Sequence, residues 1–84
     1  MMISKYGINR RDFNALLLAQ NDRCAICKEI LTKVHIDHDH LTGMVRALLC
    51  PPCNMGLGFF KDDIRLLAYA IVYLEDHGKL SPFD

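Results

Sequence analysis

Three histidines and two aspartates alternate in the segment His35-Ile36-Asp37-His38-Asp39-His40. A histidine titrates near neutral pH and can accept a proton from water. Carboxylate and amide oxygens are hard ligands for Mg²⁺ or Mn²⁺, and Asn54 adds an amide later in the chain. Hydrolysis of a phosphodiester requires both a base and a cation. The side chains of Asp37, His38 and Asn54 are therefore of the types that metal-assisted phosphodiester hydrolysis needs.

A polar hairpin with solvated histidines explains any one of these side chains taken alone. The cluster as a whole favours chemistry, because a structural metal site at the neighbouring cysteines would need none of it. In a regular strand Asp37 and His38 would point to opposite faces, so we expect the chain to depart from regular extension there. His38 and His40 can share a face, which makes His40 a candidate auxiliary or phosphate-contacting group.

Four cysteines form two pairs, Cys24-x-x-Cys27 and Cys50-x-x-Cys53. Each pair can place two thiolates on one ion, and together they predict a closed, tetrahedral structural Zn²⁺ site. A thioredoxin-like redox pair at Cys50 and Cys53 would leave the first pair unexplained. A rubredoxin-like iron site uses the same ligand type and stays open as an alternative. Because Asn54 directly follows Cys53, this site would also fix the position of the amide.

A chain of 84 residues predicts a single domain over residues 1–84, and so short a chain buries too little apolar surface for comfortable stability. Bound zinc can supply what the core lacks. We expect a cytoplasmic protein, because no secretory signal or membrane-spanning apolar segment occurs in the sequence. In that reducing compartment, paired cysteines are more readily metal ligands than disulfides.

The net charge is zero, which by itself argues weakly against a nucleic-acid partner. The distribution of charge along the chain weakens that argument. Lys and Arg outnumber Asp and Glu in residues 1–33, and the reverse holds in residues 34–84. Two of the acids in the second part are Asp37 and Asp39. A cation held by Asp37 would convert part of this acidity into a site that attracts phosphate.

The hydrophobic pattern predicts a helix, a cysteine knuckle, a hairpin and two further helices. The predicted elements are a helix over 9–20 capped by Asn9, strands over 34–38 and 45–49, a helix from Pro51 to Gly56 or Gly58, and a helix over 62–77. The last helix carries an apolar stripe made of Ile64, Leu67, Ala68, Ile71 and Leu74. We interpret that stripe as core packing, with a homodimer interface as the alternative.

Several motifs occur together in this order: C-A-I-C at 24–27, D-H-D-H at 37–40, T-G-M-V-R at 42–46 and L-L-C-P-P-C-N at 48–54. This combination resembles the phage recombination endonuclease VII family of His-Me finger (HNH-like) DNA nucleases. The resemblance covers about residues 12–58, which would form the catalytic core. It implies a small α+β fold, with a ββα-metal core, a four-cysteine zinc staple, an N-terminal helix and a C-terminal helix.

The resemblance also implies roles for individual residues. Asp37 and Asn54 match the ligands of a catalytic Mg²⁺ or Mn²⁺, His38 matches the general base and His40 an auxiliary histidine. The zinc ligands are matched by Cys24, Cys27, Cys50 and Cys53. His35 lies where the family also has a histidine.

The implied partner is DNA, cut to leave 5′-phosphate and 3′-hydroxyl ends, with branched DNA among the candidate substrates. His35 and Arg46 are candidate phosphate contacts, and an exposed strand position is the alternative for Arg46. The main rival hypothesis for the whole chain is a non-catalytic zinc-knuckle module that binds nucleic acid.

Overall fold

The computed structural model describes residues 7–78. Its elements are α1 (Arg10–Ala19), β1 (His35–His38), β2 (Val45–Leu49), α2 (Pro51–Phe59) and α3 (Ile64–Asp76). The chain divides into two units between Asn54 and Met55, inside α2. The predicted small α+β class is confirmed, with three helices and one two-stranded antiparallel sheet among the described residues.

Helix α1 begins with the predicted cap. The Asn9 side chain accepts a hydrogen bond from the backbone N–H of Asp12, and the Asp12 carboxylate accepts one from the backbone N–H of Asn9. This reciprocal capping box satisfies two amides that have no partner within the helix. The helix buries Phe13, which packs with Leu48 of β2 in the core of the first unit.

Strands β1 and β2 pair in a regular antiparallel register from His35 opposite Leu49 to Asp37 opposite Ala47. The register then shifts, and His38 lies opposite Val45. Arg46 is therefore the extra residue of a β-bulge, a feature that re-aims side chains next to functional sites. The irregularity at Asp37 and His38 is thus a shift in the register of the two strands, with the extra residue on β2, while β1 itself remains a strand through His38.

The core lies on one face of this hairpin. Leu48 is fully buried against Phe13, and Ile36, its partner in the register, packs beside them. His35 and Asp37 flank Ile36 along the strand and lie on the opposite face of the sheet. The hairpin therefore has one apolar face that builds the core and one face that carries the polar cluster.

In the second unit, α2 continues to Phe59, one residue beyond Gly58, and α3 is capped at Asp63, whose side chain accepts from the N–H groups of Arg65 and Leu66. No residue of α3 is buried. Of the predicted stripe, Ile64, Ala68, Ile71 and Leu74 are exposed and Leu67 is half-buried. The structure therefore does not bury the stripe in a core, and the homodimer interface stays a prediction.

None of the helices within residues 7–78 is both long and apolar enough to cross a membrane. The cytoplasmic location stays a prediction.

Candidate active site and cysteine cluster

Asp37 is the buried acidic side chain of the polar face, with 8% of its surface exposed. Arg46 holds both of its oxygens: Nε donates to Oδ2 at 2.7 Å and Nη2 donates to Oδ1 at 3.0 Å. This two-pronged geometry is the strong form of an ion pair. The predicted cation ligand and the predicted phosphate contact are thus bound to each other in the structure.

Asn54 lies beside His35, with 3.0 Å between Asn54 Nδ2 and His35 Nδ1. An amide nitrogen only donates, so Nδ1 accepts and the ring proton of a neutral His35 lies on Nε2. The bond leaves Asn54 Oδ1 available to another partner. Because His35 and Asp37 are two residues apart in a regular strand, Asn54 is tied to the face that carries Asp37.

His38 and His40 lie together beyond the bulge. Their ring centroids are 5.2 Å apart with the planes inclined by 44°, which confirms that they share a side of the hairpin. His38 is half-buried and His40 is exposed. The two imidazoles are therefore neighbours in space, next to Asp37 in the sequence.

Asp39 organises the turn between the strands. Its side chain accepts hydrogen bonds from the backbone N–H groups of Leu41 and Thr42, at 2.8 and 2.9 Å. These bonds, first that of Thr42 and then that of Leu41, hold the pKa of the carboxyl below its ordinary value. The turn closes at Gly43, whose φ of +75° favours glycine. Asp39 therefore shapes the loop that positions His40.

The four cysteines converge within the first unit. Their four sulfur atoms all lie within 4.8 Å of one another. One of these separations, between Cys27 Sγ and Cys50 Sγ, is 3.7 Å. Tetrahedral zinc with Zn–S bonds of ~2.3 Å requires sulfurs about 3.8 Å apart. The observed spacing and the all-sulfur donor set therefore fit one tetrahedral ion.

The surrounding backbone favours thiolate formation at Cys24. Burial raises the pKa of this thiol, but hydrogen bonds from the backbone of Cys50, Cys27 and Ile26 outweigh it and bring the pKa to about 6. Burial instead raises the pKa of Cys53 to about 12, and the neighbouring thiols add to the rise. Neighbouring thiolates repel one another, and a metal ion bound to them would relieve that repulsion.

The sequence model of the recombination endonuclease VII family matches residues 1–76. The chain belongs to the recombination endonuclease VII family. The resemblance inferred from the motifs at 24–27 and 37–54 is therefore confirmed. The family match also extends beyond the expected core of 12–58, into α3.

Two relatives from mycobacteriophages share this region. The chain is 42% identical over 77 residues to the Gene 59 protein of Mycobacterium phage D29, and 39% identical over 77 residues to the Gene 59 protein of Mycobacterium phage L5. Each alignment covers 87% of this chain and 47% of the relative. The chain thus spans about half the length of the curated relatives it matches. No solved structure shows a significant match to it.

Gln20 makes a long-range contact with the hairpin that the sequence motifs do not include. Gln20 reaches the outer edge of β2, where its Nε2 donates to the Leu48 carbonyl at 2.9 Å and its Oε1 accepts from the Leu48 N–H at 2.9 Å. The only sequence clue is a polar side chain at the end of an amphipathic helix. Gln20, at the C-cap of α1, thus adds hydrogen bonds to the packing of Phe13 on Leu48.

Proposed function

We propose that this chain is a divalent-cation-dependent endonuclease that hydrolyses DNA phosphodiester bonds. In this proposal β1, β2 and α2 form the ββα-metal core of a His-Me finger nuclease. Family membership supports the nuclease class. The contact between Asn54 and His35 supports the site, because it ties a second hard ligand to the strand face that carries Asp37.

The donor set fits a Mg²⁺ or Mn²⁺ ion. Asp37 and Asn54 would hold it, since a carboxylate and an amide oxygen are hard ligands and the remaining positions would go to water and phosphate. When bound, the cation would neutralise charge on the scissile phosphate and the leaving oxygen.

His38 is the proposed general base. It follows Asp37 directly and lies where the register of β1 and β2 shifts. Its imidazole would take the proton of the attacking water, and the neighbouring His40 would stabilise the resulting charge or contact phosphate. His35 would orient the amide of Asn54. The ends left on DNA would be a 5′-phosphate and a 3′-hydroxyl.

The four cysteines would hold one structural Zn²⁺. Cys50 immediately precedes α2, Cys53 lies in its first turn, and Asn54 follows in the same helix. A zinc ion shared with Cys24 and Cys27 would therefore fix the helix start and the position of the Asn54 amide relative to β1. The zinc would support catalysis through position and take no part in the reaction.

The decisive test is cutting of supercoiled plasmid by zinc-loaded protein with Mg²⁺ or Mn²⁺. We expect His38→Ala to lower the cutting rate by roughly 10²–10⁴-fold, the usual contribution of a general base. His77→Ala, at an exposed position after α3, is the matched control and should cut at the normal rate. Equal rates for the two variants would refute His38 as the base, and an intact plasmid with every divalent ion would refute the nuclease.

A non-catalytic nucleic-acid-binding module is the second candidate, and the ion pair between Asp37 and Arg46 is the observation that favours it. An arginine on both oxygens of the carboxylate is what a degenerate nuclease would keep for stability. Such a module would retard DNA in a gel shift and leave the plasmid intact. In that case Asp37→Asn would lower the free energy of unfolding, and neither it nor the unchanged chain would cut the plasmid.

A separate experiment tests whether the DNA that is cut is branched, duplex or single-stranded. Labelled four-way junction, linear duplex and single-stranded oligonucleotides of matched sequence should be compared at equal concentration. A higher kcat/KM on the junction would indicate that branched DNA is the substrate, and equal values would indicate a general nuclease.

A further inference from the structure

Arg46 and Asp37 form an ion pair on the polar face of the hairpin. The Arg46 side chain is 36% exposed and that of Asp37 is 11% exposed. The carboxylate is thus nearly buried, while the guanidinium reaches solvent. The pair is held by the bulge, because Arg46 is the extra residue between the partners of Asp37 and His38.

We propose that Arg46 is a built-in counter-ion that occupies Asp37 until a divalent cation and a phosphate arrive together. In the absence of both, its guanidinium neutralises the buried carboxylate. The cation takes its place on Asp37, and the released guanidinium binds a phosphate oxygen of the nucleic acid. This inference rests on the proposed role of Asp37 as a cation ligand.

Charge explains why the guanidinium competes with the cation for Asp37. A cation bound to either oxygen of Asp37 would lie within about 5 Å of a guanidinium that is itself hydrogen-bonded to that carboxylate. Two positive charges at that separation, beside a carboxylate that is nearly buried, repel each other. Removal of the guanidinium should therefore strengthen cation binding. A guanidinium that only oriented the carboxylate would have the opposite effect when removed.

The chemistry of the guanidinium explains why phosphate is the second partner. Its fork of N–H donors fits two oxygens of a phosphate as well as it fits a carboxylate. Arg46 is exposed enough to make that exchange without opening the core. Because the exchange links two binding events, the cation should tighten phosphate binding by the same factor by which phosphate tightens cation binding.

The test measures Mn²⁺ affinity of zinc-loaded protein, without nucleic acid, by titration calorimetry and electron paramagnetic resonance. We expect Arg46→Ala to bind Mn²⁺ more tightly than the unchanged chain, by at least about fivefold, the lower end of typical coupling between sites. Arg11→Ala, an exposed arginine on α1, is the matched control and should leave the affinity unchanged. Equal or weaker Mn²⁺ binding by Arg46→Ala would overturn the proposal.

Arg46→Gln guards against loss of the fold. It keeps hydrogen-bonding capacity toward Asp37 without the charge, and it should also bind Mn²⁺ more tightly than the unchanged chain. Each variant is used after its zinc content and circular dichroism match those of the unchanged chain. An affinity below that of the unchanged chain in Arg46→Gln would count against competition by charge.

A second readout follows Arg46 directly. The ¹⁵N resonance of Arg46 Nε should be protected from solvent exchange in the metal-free site and lose that protection when Mg²⁺ and dimethyl phosphate are added together. Unchanged protection at saturating Mg²⁺ and phosphate would overturn the exchange.

Asp37→Asn separates this inference from the proposed function. Mn²⁺ binding that survives Asp37→Asn at full strength would refute the assignment of Asp37 as a cation ligand, and the inference with it. Mn²⁺ binding that is lost in Asp37→Asn but not strengthened in Arg46→Ala would overturn the inference alone.

Discussion

At the scale of single residues, the polar face is organised by pairs of side chains. Asp37 is bound to Arg46, His35 to Asn54, and His38 lies against His40. The sequence indicates only that these residues form a cluster, whereas the structure shows which side chains contact each other. His35, whose part was the least defined, contacts the amide of Asn54.

The contact between His35 and Asn54 predicts a positioning effect on cation binding. His35→Ala should weaken Mn²⁺ binding by roughly 10-fold, the lower end of what loss of a ligand's hydrogen-bond partner costs. His35→Gln should restore part of it, because its amide oxygen can accept from Asn54 Nδ2. Calorimetry on zinc-loaded protein measures both.

The zinc content of the His35 variants is the control for a structural effect. One zinc per chain with weakened Mn²⁺ binding supports positioning of Asn54. Normal Mn²⁺ affinity in His35→Ala would show that the amide needs no partner.

At the scale of elements, the hairpin has a protected outer edge. Leu48 of β2 turns its N–H and C=O away from β1, where Gln20 pairs with both groups and the Ala25 N–H donates to the same carbonyl at 3.2 Å. An unpaired strand edge would otherwise leave buried polar groups without partners. The side chain of Gln20 thus makes the hydrogen bonds that a neighbouring strand would make with Leu48.

Gln20→Ala should lower the free energy of unfolding by about 1–3 kcal/mol, because it leaves the buried Leu48 N–H without a partner. Urea unfolding followed by circular dichroism at one fixed zinc concentration measures the change. Asn14→Ala, at an exposed position in the middle of α1, is the matched control and should change stability by less than about 0.5 kcal/mol. A Gln20→Ala chain as stable as this control would show that water replaces the side chain at the strand edge.

Local patterns were sufficient to predict the elements. Alternation and turn residues placed the strands to within one residue of β1 and β2, and Asn9 was identified as the cap of α1 because capping depends on neighbours in sequence. The two cysteine pairs predicted their own convergence, since ligand type and spacing carry that information.

Partners that meet through tertiary structure were not predictable in the same way. Arg46 was assigned to phosphate or solvent, and its pairing with Asp37 depends on a one-residue bulge whose position no local pattern encodes. The contact of Gln20 with Leu48 spans 28 positions and depends on how α1 packs on the hairpin. The catalytic assignments themselves stay predictions for the experiments above.

At the scale of the whole molecule, the apolar core is small. Among the described residues, the buried hydrophobic side chains are Phe13, Cys24, Leu48 and Leu49. One of these four, Cys24, also belongs to the cysteine cluster that could hold a metal ion. The cluster also joins residues before and after the hairpin, which makes it the main cross-link of the first unit.

The free energy of metal binding should therefore decide whether the first unit folds. Structural zinc contributes roughly 10–16 kcal/mol in small zinc-dependent domains, which equals or exceeds the typical net stability of about 5–15 kcal/mol. Removal of zinc with a chelator should abolish amide-exchange protection in residues 23–54 and the dispersion of their NMR signals.

Cys24→Ser should have the same effect at any zinc concentration, because it also removes a buried member of the core. Cys27→Ser removes an exposed ligand and should bind zinc more weakly yet refold when zinc is raised, so its behaviour separates loss of the metal from loss of packing. A chain that keeps dispersed, protected amides after full chelation would show that the apolar core alone carries the fold, and the zinc would then be left only with fixing Asn54 beside His35.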